Sequence, residues 1–64
     1  METSVDRKAL ADYYDMMAEM YRHFAAIQRG ENFNVHNYHI GLLQQEMTGW
    51  RVEHRALAKA YGIQ

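Results

Sequence analysis

The sequence predicts an all-α chain folded as an antiparallel two-helix hairpin, and three observations carry that prediction. Proline is absent, and Ala, Met, Leu, Gln, Glu and Arg, which lose least on entering a helix, are plentiful. Apolar residues recur at spacings of three and four along two long stretches. Between those stretches, Gly30 followed by Glu31-Asn32-Phe33-Asn34 combines a helix stop with a helix start.

The first helix is expected over about residues 4–29. Thr3 or Ser4 is placed to cap it, and Asp6 falls in the first turn, where the positive end of the helix dipole favours an acid. No breaker intervenes before Arg29, and Gly30 suits the residue just past the helix. Leu10, Tyr13, Met17, Met20, Phe24 and Ile27 follow the a/d spacing of a helical seam. Tyr14 and Tyr21 widen this stripe on one side, and Ala9 and Met16 on the other. At 100° per residue the apolar arc covers roughly 180–200°, well beyond the ~100° stripe typical of a surface helix. One partner helix cannot cover it.

After a loop at 30–34, the second helix is expected over about 35–61, capped by Asn34 in preference to Asn32 and closed by Gly62. Its stripe is narrower: Ile40, Leu43, Met47, Trp50, Leu57 and Tyr61, with His36 and His54 on the same line. His39, Glu46 and Glu53 recur at heptad spacing on the boundary strip. Gly41 and Gly49 lie inside the helix at a cost of about 1 kcal/mol each against Ala. Gly49, on a flank of the stripe, would permit close approach of another backbone; Gly41 points away from the core without an evident role. Folding about Glu31–Phe33 sets residue i roughly beside residue 64−i, which brings Asp12 and Asp15 alongside Arg51 and Arg55. Exposed ion pairs of that kind contribute about 0–1 kcal/mol each, so they would set register more than stability.

A single domain of 64 residues without cysteine has no disulfide or thiolate metal site to supplement a small core. Association is the remaining supplement. The expected assembly is a four-helix-bundle homodimer with Leu10, Met17, Met20, Phe24, Leu43, Met47, Trp50 and Leu57 inside. Met1-Glu-Thr-Ser-Val-Asp is polar and acidic and leads into no apolar run, so neither a secretion signal nor a membrane span is expected, and the location expected is cytoplasmic.

Catalysis is not expected. Ser4 is the only serine and sits at the helix start, Thr3 and Thr48 lack a His–carboxylate relay, and no Gly-rich phosphate loop occurs. A metal site built from His36, His39 and Glu46 is a weak alternative. A bundle-core metal site wants Glu-x-x-His, but Gly49 and Ala56 stand three residues after Glu46 and Glu53. No cofactor is expected.

Arg51, Arg55 and Lys59 form a basic line that an RNA- or DNA-binding dimer could use, although a net charge of −1 is poor for phosphate neutralisation. The segment from Arg55 to Ile63 resembles the first helix and turn of a helix-turn-helix, with no recognition helix after it. The leading expectation is a non-enzymatic interaction protein, a regulator, inhibitor or adaptor. It would dock on a protein target through Tyr13, Tyr14, Met16, Met20 and Tyr21, because Tyr and Met supply large, adaptable contact area.

Overall fold

In the computed structural model, which describes residues 4–63 and the side chains of residues 6–63, the described residues form three helices. They are α1 (Ser4–Gln28), α2 (Phe33–Glu53) and α3 (Arg55–Ala60). α1 and α2 pack against each other as a hairpin, a rod with extents of 45 × 17 × 16 Å. The expected caps of α1, Thr3 and the Ser4 side chain, lie outside the described residues.

The turn between α1 and α2 is made by backbone geometry that the glycine permits. Gly30 takes φ 83°, its N–H donates to the Ile27 carbonyl (3.0 Å), and the Glu31 N–H donates to Ala26 (3.1 Å). This Schellman arrangement satisfies the last carbonyls of α1. α2 then begins earlier than expected. Asn32, not Asn34, is its cap, and its Oδ1 accepts from the Val35 N–H at 3.2 Å. Both asparagines could cap; Asn32 leaves Phe33 and Asn34 free to join the first turn, so the loop is shorter than 30–34.

The second expected helix is broken at His54, where φ −118° and ψ 46° leave the helical region and separate α2 from α3. The break turns the following residues by about one position. Ala58 becomes the buried residue, Leu57 is half-buried, and Tyr61, expected on the inner stripe, is 43% exposed. The chain then closes with a second Schellman turn at Gly62 (φ 68°), in which the Ile63 N–H donates to Ala58 at 2.8 Å. Ile63 packs back onto the core.

That core is centred on Tyr13, Met47, Trp50 and Ala58, with Ala9, Leu10, Met16, Met17, Met20, Leu57 and Ile63 packed around it. Trp50 seats its indole 4.6 Å from the Tyr13 ring centroid and donates Nε1–H to the Ala9 carbonyl at 2.9 Å. Of the residues expected inside, Leu43, Met47 and Trp50 are buried, and Leu10, Met17, Met20 and Leu57 are half-buried. Phe24 is 40% exposed and leans on Tyr21. Among the described residues no side chain falls below 2% exposure, so the core is one layer thick.

α2 is apolar on two sides. Its inner line is Ile40, Leu43, Met47 and Trp50, all buried. On the opposite side Val35, Tyr38, Leu42, Gln45, Gly49 and Val52 recur at spacings of three and four, and all are exposed.

Candidate interaction surface

The five residues expected to meet a partner are divided by the fold. Tyr13 is 4% exposed and belongs to the core. It occupies the inner seam opposite Trp50, and its hydroxyl accepts from Arg51 Nη1 at 3.2 Å. Its place on the a/d line of α1 was the signal for this. Met16 is half-buried against the core on the opposite flank from Tyr14, and Met20 is half-buried in a cleft of about 410 Å³ with Gln44, Met47, Thr48 and Arg51. Tyr14 and Tyr21 remain on the surface, 48% and 60% exposed, one flank over from the inner seam.

The basic line and the tyrosine flank, separate features in the sequence, come together at the carboxyl-terminal turn. Arg51, Arg55 and Lys59 line a cleft of about 370 Å³ floored by Ala58, Gly62 and Ile63. Gly62 and Ile63 also wall a second cleft, about 310 Å³, lined by Tyr13, Tyr14, Met17 and Tyr61. The break at His54 and the Gly62 turn produce this adjacency by folding the chain end back between the two. Arg51 is tethered, since it also donates to Thr48 Oγ1 at 3.1 Å, and Thr48 in turn donates to the Gln44 carbonyl.

Among the described residues, no ion pair joins Asp12 or Asp15 to Arg51 or Arg55. The helical wheel gives the reason. Asp12 lies 100° from Tyr13 on the side away from Tyr14, and Asp15 lies about 200° from Tyr13, whereas Arg51 reaches the Tyr13 hydroxyl. The basic cleft is therefore not neutralised by those carboxylates.

Histidine chemistry is gathered at the loop end, with a different membership from the expected one. His23 Nδ1 and His36 Nδ1 are 2.9 Å apart, and the His23 ring stacks on His39 with centroids 5.1 Å apart. One ring of the His23–His36 pair must donate and the other accept, so both cannot be doubly protonated while the bond persists. Glu31 Oε1 stands 3.5 Å from His36 Nε2, and Arg29 donates to Glu31 Oε2 at 2.8 Å. That Arg29 hydrogen bond is the main reason the Glu31 carboxyl is held below its ordinary value.

Glu46 cannot join His39 on one ion. Seven residues of helix separate them by about 10 Å, and among the described residues no three His, Cys, Asp or Glu side chains are arranged to hold a metal. His23, whose i, i+4 spacing from Glu19 sets it towards the polar side of α1, joins the two α2 histidines because the antiparallel packing brings it across the hairpin.

Among the described residues, no helix is long and apolar enough to cross a membrane. Compared with protein-family models, with curated proteins and with solved structures, the chain finds no match.

Proposed function

We propose that this chain is a non-enzymatic interaction module that docks an acidic, amphipathic segment of a protein partner at its carboxyl-terminal end. The observation that carries this reading is the wall shared by two clefts, which sets exposed Tyr14 and Tyr61 beside Arg51, Arg55 and Lys59. A helix with apolar residues on one side and carboxylates on its edge would place the former on Tyr14, Met17 and Tyr61 and the latter on the basic cleft. Aromatic anchors ringed by charge are the usual composition of interface hot spots. The role that follows is that of a regulator, inhibitor or adaptor, acting by occupancy and needing neither cofactor nor metal.

Complexes recovered on the tagged chain, identified and reconstituted with purified partner, test this directly. Tyr14→Ala with Tyr21→Ala should weaken binding by roughly tenfold or more while helicity is kept, and Arg55→Glu with Lys59→Glu should do the same. A partner whose affinity ignores both pairs would sink the reading.

The same basic cleft supports a second reading, an RNA or DNA binder. It requires an affinity for nucleic acid that falls steeply with salt. A gel shift at low ionic strength decides between the two.

A further inference from the structure

We infer that the outer face of α2 is a two-fold interface with a second copy of this chain, the two α2 helices running antiparallel. This reading goes beyond the docking of a protein partner at the carboxyl-terminal clefts and uses a different surface. Val35, Tyr38, Leu42, Gln45, Gly49 and Val52 keep a/d spacing over the length of α2, four of the six apolar, all exposed and on the side opposite the buried line. Such a line is a helix-pairing surface; its own pattern identifies the occupant.

A two-fold axis between Leu43 and Gln44 sets Val35 opposite Val52, Tyr38 opposite Gly49 and Leu42 opposite Gln45 in the other copy. The bulkiest side chain of the line thus falls on its one residue without a side chain, twice by symmetry, as a self-complementary interface requires. The same register places Glu46 of one copy beside His39 of the other and Gly41 beside Thr48, with no like charges in contact. A parallel pair would stack Tyr38 on Tyr38 and leave Gly49 facing Gly49 across a void.

The hairpin itself does not need either glycine. A Cβ at Gly41 or Gly49 would meet nothing within 4 Å. Both lie on this face or its edge, and Gly41 sits in an open groove with Gln44, Gln45 and Thr48.

Cross-linking tests both the pairing and its direction, because the chain has no cysteine of its own. Val35→Cys and Val52→Cys are prepared as separate proteins and oxidised alone and mixed. The antiparallel pair forms a disulfide only in the mixture, since equivalent residues sit about 25 Å apart along the axis. Self-linking of either variant, equal linking in all samples, or no linking overturns the inference.

Sedimentation equilibrium supplies the second arm. The unmodified chain should run at twice 7.6 kDa, and Gly49→Leu should weaken that dimer at least tenfold with helicity undiminished. Tyr14→Ala with Tyr21→Ala should leave it intact. Dimerisation that depends on the tyrosine pair and ignores Gly49→Leu overturns the proposal while leaving partner docking to its own test.

Discussion

α1 and α2 carry similar amounts of apolar side chain and distribute it differently. α1 gathers its apolar residues on one broad side, where the inner seam passes into the flank of Tyr14 and Tyr21. α2 divides its own between two opposite faces, one buried by Ile40, Leu43, Met47 and Trp50 and one exposed through Val35, Tyr38, Leu42 and Val52. A broad arc suits a helix at the edge of an assembly that touches one neighbour squarely and another obliquely. Two opposed faces suit a helix between two neighbours. Within the hairpin only one neighbour is present, so the outer face of α2 is the larger unmet demand.

The strongest test of this contrast sets the two faces of α2 against each other. Trp50→Ala removes the centre of the inner face and should cost about 3–5 kcal/mol. Chains of this size are stabilised by only about 3–10 kcal/mol in total, so far-ultraviolet circular dichroism should show most of the helix lost. Tyr38→Ala on the outer face should change the stability of the monomer by no more than about 0.5 kcal/mol in urea denaturation. Equal costs would mean that the outer face is already packed.

The glycines sharpen the comparison with effects of opposite sign. Gly41→Ala on α2 replaces a helical glycine in open space and should raise stability by about 1 kcal/mol. Gly30→Ala at the end of α1 forces a Cβ into a φ of 83° and should lower it by about 1–2 kcal/mol. Thermal unfolding of the two variants side by side measures both. Tyr13→Phe comes next: it leaves the ring on Trp50 but removes the acceptor for Arg51, and should cost about 0.5–1.5 kcal/mol in the same assay.

The smallest effect belongs to the loop. The folded Glu31 carboxyl titrates below its ordinary value of 4.5, so the ionised form is the one that the fold favours. Its contribution is complete above that value and is lost as pH falls through the lowered one. Glu31→Gln should therefore match the parent at low pH and fall slightly below it at neutral pH, which flattens the acid limb of the stability–pH curve. A variant curve parallel to the parent throughout would show that the Arg29 hydrogen bond does not persist in solution.

The hairpin was legible because its signals are local. Gly30 and Gly62 announce left-handed turns that L side chains resist, and the three-and-four spacing of Leu10 to Ile27 specifies one face. The register held within about a turn, bringing Tyr13 to Trp50 and Arg51, and His23 to His36 and His39. What the sequence hid depends on tertiary choice. Asn32 and Asn34 differ as caps only through where Phe33 ends up. The break at His54 has no proline or glycine to mark it; packing of Ala58 and Ile63 onto Trp50 and Tyr13 accompanies it. Similarly, the meeting of the basic line with the tyrosine flank follows from that break, which no periodicity encodes. The outer line of α2 is hard to see in sequence because Gln45 and Gly49 interrupt its hydrophobicity while keeping its spacing.

The indole of Trp50 also gives the molecule a built-in optical reporter. It is the only tryptophan in the chain, so intrinsic emission excited at the red edge comes from one position. That position is held by a carbonyl 41 residues away and lies against the Tyr13 ring, within easy range of energy transfer. Opening of the hairpin pulls the indole off the Tyr13 ring and the Ala9 carbonyl and wets it at the same instant. A stopped-flow trace of Trp50 fluorescence would therefore time the closing of α1 on α2 without any label.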